Sequence, residues 1–360
     1  MRLTVWMIAA ALWATGSTAQ AAREFAHPDR IRYDGQCLTI DGDDRLIFSA
    51  AFNFDEMGEA QWAARFKALK AAGFNTVTTR VPAGGFSAAA AARLRAWLHT
   101  AHAEFGFYSI VIPSAENLAA VGAALAPEQL THRAAGTGGV ILCQLPAGSD
   151  AATRLMAMLA AGVDVPVFTC DTPACRDSDD PELRQVFDGL ATSGTPDQLA
   201  DNLEALESAQ PDAPAFLNLP PAQPVTTAMI VDALRAGATI ISCGWSSANF
   251  ATGEAIGHAL ARYGNELARA QAVPIQSQAG SSAVAIGMRR TRATVIFLFA
   301  TNHSASLPQR GRAAIWLNKD GVEMGMDYRL PVLSGKLLRL GVGATELSEA
   351  QSLISLPGSQ

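Results

Sequence analysis

Residues 31–82 read IRYDGQCLTIDGDDRLIFSAAFNFDEMGEAQWAARFKALKAAGFNTVTTRVP, and this stretch decides the fold. A short hairpin over Tyr33–Ile47, turning on Asp-Gly, leads into an apolar run at 46–53. An amphipathic segment carrying Trp62 follows at 59–72, then a second apolar run at 74–81. Apolar run, amphipathic segment, apolar run is the pattern of a βα unit feeding a parallel sheet. Working outward, the same alternation predicts further strands near 107–112, 139–144, 165–170, 185–190, 214–219 and 238–243. Helices are predicted at 59–72, 87–104, 115–125, 151–161, 179–184, 196–208, 225–235 and 254–271. Val140-Ile141-Leu142-Cys143 and Ala238-Thr239-Ile240-Ile241 are unbroken apolar runs, as expected of strands buried on both faces. Eight strands, each with its helix, predict an α/β chain closed into a (β/α)8 TIM barrel.

Near Ala272 the pattern changes. Ser282–Met288, Ala293–Thr301, Ala313–Asn318 and Leu330–Leu340 read as strands, with turns at Lys319-Asp320-Gly321 and Ser334-Gly335. The expected organisation is a barrel over 22–272 followed by a small all-β domain over 273–360, packed on it.

Residues 1–21 read as a secretory signal peptide: basic Arg2, an apolar run from Leu3 to Ala14, and a small-x-small site at Ala19-Gln20-Ala21. The apolar run is shorter than the roughly 20 residues that span a bilayer, so no transmembrane segment is expected here or later. The protein is therefore expected in the periplasm or outside the cell. A net charge of −6 without a basic cluster argues against a nucleic-acid partner. Of the five cysteines, Cys170 and Cys175 are spaced to close a small loop in an oxidising compartment, while Cys143 and Cys243 sit in apolar strands as small hydrophobes. No CxxC pair or Cys/His cluster suggests a metal, and no cofactor motif is present.

TGGVILCQLPAGSD at 137–150 resembles the fourth barrel strand of glycoside hydrolase family 35, the β-galactosidase family, where the pattern is close to GGPII-x-x-QIENEYG. Residues 31–82 are similar to the family's first βα unit, with Trp62, Lys70, Gly73, Asn75 and Thr76 at matching places. Residues 164–171 (DVPVFTCD) and 238–253 (ATIISCGWSSANFATG) resemble its fifth and eighth strands. Bacterial members of the family carry β-domains after the barrel, and the resemblance makes this chain a reduced and divergent member.

The resemblance implies a retaining glycosidase site, which needs two carboxyl groups about 5–5.5 Å apart at the C-terminal ends of strands four and seven. Here the alignment places Gly148 at the acid/base position and Leu219 at the nucleophile, and residues 214–225 contain no acid. The nearest acid after strand four, Asp150, has helix capping as its simpler explanation. The pocket loops after strands two and three are shortened, and Trp245-Ser246-Ser247-Ala248 replaces a His-Gly-Gly-Thr run. Relocated acids would have to come from Asp171 with Asp55 or Glu116, for which turn capping (Asp171) and helix N-terminal charge (Asp55) are the plainer readings. Asn53, Arg80, Gln144, Trp245 and Asn249 are the candidate substrate contacts. Arg80 is equally explained by an ion pair with Asp171 or Glu116, and Trp245 by packing at the barrel mouth.

Three functions follow. The first is a non-catalytic, exported relative of family 35 that binds carbohydrate or belongs to an envelope polysaccharide system. The second is an active glycosidase with relocated carboxylates. A purely structural role in such a system, with an unspecified protein partner, is the third possibility.

Overall fold

The computed structural model describes residues 30–130, 138–145, 151–170, 189–192, 201–203, 205–206, 212–219, 224–244, 246–293, 295–317, 322–341 and 351–352. The proposed signal peptide, Gly148, Asp150, Asp171, Cys175 and Trp245 lie outside them.

The chain opens with a three-stranded antiparallel sheet of β1 (Ile31–Tyr33), β2 (Leu38–Ile40) and β3 (Asp43–Arg45). Eight strands then close a barrel: β4 (Ile47–Ala51), β5 (Thr76–Arg80), β6 (Tyr108–Ile112), β7 (Val140–Leu145), β8 (Val167–Cys170), β9 (Gly189–Thr192), β10 (Phe216–Leu219) and β11 (Ile240–Gly244). All neighbouring pairs are parallel, including the β11–β4 pair that closes the ring. Of strand six, expected at 185–190, the described part is Gly189–Thr192.

Between them run α1 (Glu59–Ala71), α2 (Ala88–His99), α3 (Leu118–Leu125), α4 (Ala151–Ala160), α5 (Thr227–Arg235) and α6 (Ser247–Ala268). Their apolar stripes explain their places. Trp62, Phe66 and Leu69 of α1 recur at helical spacing and are buried, as are Leu94, Trp97 and Leu98 of α2. Ser87, Thr226 and Ser246 cap α2, α5 and α6 by accepting from a backbone N–H three residues on. Rings of Phe52, Phe66 and Trp97 meet with centroids 5.3–5.6 Å apart between strand and helices. α6 lies hard against the end of α1: a methyl on Gly257 would overlap the Ala72 carbonyl.

The barrel is filled from below. Ile47, Ile110, Leu142, Phe168, Phe216 and Ile240 share one buried cluster with Ile31, Leu38 and Ile40 of the N-terminal sheet, which closes the bottom. Arg269, just past α6, holds that sheet in place. Its guanidinium donates to both carboxylate oxygens of Asp44 at 2.5 Å and to Asp34 at 2.5 Å.

After α6 the chain is β-structured. One antiparallel sheet has the order β12 (Gln271–Ala272), β14 (Val284–Arg290), β15 (Ile296–Asn302), β18 (Gly335–Leu340), β19 (Gln351–Ser352). A second joins β13 (Ile275–Gln278), β16 (Gln309–Leu317) and β17 (Val322–Leu330). The run expected at Leu330–Leu340 is two strands, β17 ending and β18 beginning on either side of a turn. Strand β15 is buried on both faces. Phe297 and Phe299 join the barrel's outer core, while Ile296, Leu298 and Ala300 meet Ile315, Met326 and Tyr328. The inner face of the C-terminal sheet thus shares one continuous core with the barrel helices, through α5.

Candidate functional site

In a barrel of this kind, loops at the C-terminal ends of the strands build the site. Side-chain direction follows from the alternation along each strand. On β10, Phe216 belongs to the barrel interior and Leu217 and Leu219 to the layer between strands and helices, so Asn218 faces inward. Leu219, at the expected nucleophile position, is fully buried on the outer side of the sheet. Gln144 on β7 is likewise buried, between the outward Cys143 and Leu145.

Asn218 and Gln144 meet. The Asn218 side-chain amide donates to the Gln144 amide oxygen at 2.8 Å, so strands four and seven are joined by two uncharged side chains. Next to Asn218 in register, Ser242 donates to Thr78 at 3.0 Å, and Ser49 and Thr78 share a hydrogen bond of 2.7 Å. All five side chains are at least nine-tenths buried. The layer above the apolar barrel interior is therefore polar, uncharged among the described residues, and internally hydrogen-bonded.

The first three loops above it are tied to one another. Asn53, after strand one, accepts from the Arg80 backbone N–H at 3.1 Å and donates to Glu56 at 2.6 Å. Arg80 itself is exposed, and among the described residues no carboxylate pairs with its guanidinium, so the expected ion pair with Glu116 is not formed. Glu116 instead accepts from the Gly84 N–H at 3.0 Å. Its neighbour Asn117 donates to the carbonyls of Pro82 and Gly84 at 3.2 and 2.6 Å. Gly84 has φ +106°, a conformation that requires glycine. Arg93 of α2 lies over the Trp62 ring and donates to the Met57 carbonyl at 2.6 Å, fastening α2 to the loop after strand one. These contacts surround a cavity of about 340 Å3 lined by Phe54, Asp55, Gly84, Gly85, Phe86 and Arg93.

Asn249 is a correction to its reading as a substrate contact. It is buried, accepts from the Val225 N–H at 2.9 Å and donates to the Gly244 carbonyl at 2.9 Å, so it clamps the loop before α5 to strand eight. Asn53 and Gln144, also read as substrate contacts, have their bonds to the protein itself. Asp55 is exposed and lines the cavity, whereas Asp171 and Trp245 lie outside the described residues. No group of three or more His, Cys, Asp or Glu side chains among the described residues is placed to hold a metal. Cys37, Cys143 and Cys243 are buried; burial pushes the Cys243 thiol up to about 12, which makes it inert.

No protein-family model matches the chain, and no curated protein matches it in sequence. Solved structures do match. A candidate α-galactosidase from Bacteroides fragilis NCTC 9343 aligns with a TM-score of 0.53 at 10% identity, over 85% of this chain and 80% of that one. α-Galactosidase I from Mortierella vinacea aligns with a TM-score of 0.52 at 9% identity, over 82% of this chain and 96% of that one. The chain shares the (β/α)8-barrel fold of these two proteins. Both of these structures are described as α-galactosidases, not as members of family 35, and at such identities the likeness extends to the fold alone. No helix among the described residues is long and apolar enough to cross a membrane.

Proposed function

We propose that the protein is an exported, non-catalytic relative of the glycoside hydrolases that binds glycan on the C-terminal face of its barrel, with family 35 as the family its motifs resemble. The observation that carries this reading is the amide pair. Strands four and seven, from which that family projects its two glutamates, are bridged here by Gln144 and Asn218 at 2.8 Å. Neither amide can protonate a leaving oxygen or attack an anomeric carbon. Two of the described acids near the mouth have other work, Glu116 holding Gly84 and Glu56 holding Asn53, which leaves the exposed Asp55.

The test has two arms. The full mature chain is assayed against nitrophenyl α- and β-glycosides and on a glycan array. The reading expects no nitrophenol release above buffer and saturable binding to at least one glycan class. Turnover that Asp55→Asn or Asp171→Asn abolishes would establish the active glycosidase with relocated acids instead. Silence in both arms would leave the structural role in an envelope system.

A further inference from the structure

The geometry points to the cavity between the loops after barrel strands one and two as the binding site for a single pyranose unit, an inference that rests on the glycan-binding reading above. It lies off the barrel axis, over α2, and not above the Gln144–Asn218 pair.

Three observations carry it. The first is size: about 340 Å3 falls at the lower end of small-molecule sites, which suits one sugar ring rather than an oligosaccharide. The second is chemistry. Half-buried Phe86 supplies apolar surface, backed by the buried Phe54 ring, while exposed Asp55 supplies a hydrogen-bond acceptor at the rim. A pyranose has the matching division, an apolar face of C–H groups and an edge of hydroxyl donors. A carboxylate takes two such hydroxyls, and charge-assisted bonds of this kind are the strong ones.

The third is preorganisation. The Pro82–Phe86 turn is short and glycine-rich, yet it is held at Gly84 by Glu116 and at Pro82 and Gly84 by Asn117. Arg93 fixes the opposite wall through Met57 and Trp62. A side chain at Gly84 or Gly85 would meet no atom within 4 Å, so the backbone there faces open space that a ligand can approach. Walls fixed before binding reduce the ordering cost that otherwise opposes weak ligands.

The experiment uses the full mature chain, labelled with 15N-glycine, titrated with methyl α- and β-pyranosides of galactose, glucose and mannose. At least one is expected to shift the Gly84 and Gly85 amide resonances saturably. Asp55→Ala, at an exposed position, is expected to weaken that binding by about tenfold or more, from loss of a charge-assisted bond. Gly85→Val, which places an isopropyl group in the open space, is expected to abolish it. Pyranoside binding that leaves the Gly84 and Gly85 resonances unmoved and survives both substitutions would overturn the cavity while sparing the glycan-binding function. Array binding of longer glycans with no pyranoside response would do the same. Absence of binding to every pyranoside and every arrayed glycan would overturn both.

Discussion

The pair Asn218–Gln144 makes a quantitative prediction about what barrel strands four and seven contribute to stability. Asn218→Leu removes the donor and leaves the Gln144 amide oxygen without its 2.8 Å partner in a site only 2% exposed. Gln144→Met does the reverse, stranding the Asn218 amide at 5% exposure. Each orphaned group costs about 1–3 kcal/mol of desolvation that no bond offsets. Replacing both partners by apolar groups of similar shape leaves nothing orphaned, and such a change is close to neutral. The sum of the single losses should therefore exceed the loss in the double variant by about 2–6 kcal/mol, at or above the upper end of the coupling seen between contacting residues. Urea unfolding of the four proteins measures this from midpoints at constant slope. Additive losses, within about 0.5 kcal/mol, would mean that the amides do not depend on each other and would refute the reasoning.

The remaining predictions concern the site and its supports. Leu219→Glu, which restores the acid expected from the family pattern, puts a carboxyl into a fully buried outer core and should fail to create activity. Burial on that scale raises a carboxyl by up to 3–5 pH units, so at pH 7 the folded variant keeps its proton and should lose about 3–4 kcal/mol, regained in acid; a stable variant that releases nitrophenol would reverse the assignment of its direction. Arg269→Met should cost about 1–2 kcal/mol at neutral pH, a modest figure because Asp34, Asp44 and Arg269 are 49%, 31% and 35% exposed and solvent screens them. Arg269 hydrogen bonds hold the Asp44 carboxyl below its ordinary value near 3.8; for Asp34 burial pushes upward, but bonds from Arg269 and the Cys37 and Gln36 amides outweigh it. Both folded values are depressed, so the contribution is present above the ordinary value and lost as pH falls through the folded ones; a difference between wild type and variant that grows on acidification would contradict this. Gly257→Ala should destabilise by about 2–3 kcal/mol through overlap with the Ala72 carbonyl, read as a lower unfolding midpoint, and an unchanged midpoint would show that α6 can move.

Most of the barrel was legible in the sequence because its strands are apolar on both faces and its helices are not. Strand six was expected at 185–190 because Val186 and Phe187 form the more apolar pair, whereas its described part, Gly189–Thr192, contains only Leu190 and Ala191 as apolar residues of any kind. Strand β17 carried a legible signal that a merged reading hid: Met326, Tyr328 and Leu330 are buried while Gly325, Asp327 and Arg329 are exposed, a clean period of two. The direction of Leu219 was not legible. A strand buried on both faces, Phe-Leu-Asn-Leu, shows no alternation from which inside and outside could be told, and a shift of one residue exchanges them. Asn249 was misassigned for a different reason: its partners are the backbone N–H of Val225 and carbonyl of Gly244, which sequence spacing does not reveal.

The pattern of bonds at the mouth bears on what the fold does. A glycosidase needs groups whose protons and lone pairs are available to the substrate, and it holds them on a rigid frame. In the described part of this mouth the polar groups face one another: Ser49, Thr78 and Ser242 form one hydrogen-bonded set, Gln144 and Asn218 another, and Asn53, Glu56, Glu116 and Asn117 bind loops. Such an arrangement engages these side chains with one another and with the loops. Asp55 differs, since it borders the cavity and has no role in holding a loop. A rigid rim with one outward acceptor beside aromatic surface is suited to holding a sugar, where affinity is gained from fixed walls and few polar contacts. Under the glycan-binding function proposed above, recognition falls to loop residues such as Asp55 and the Gln144–Asn218 pair serves the frame, because the cavity lining and the bridged strand residues are different side chains.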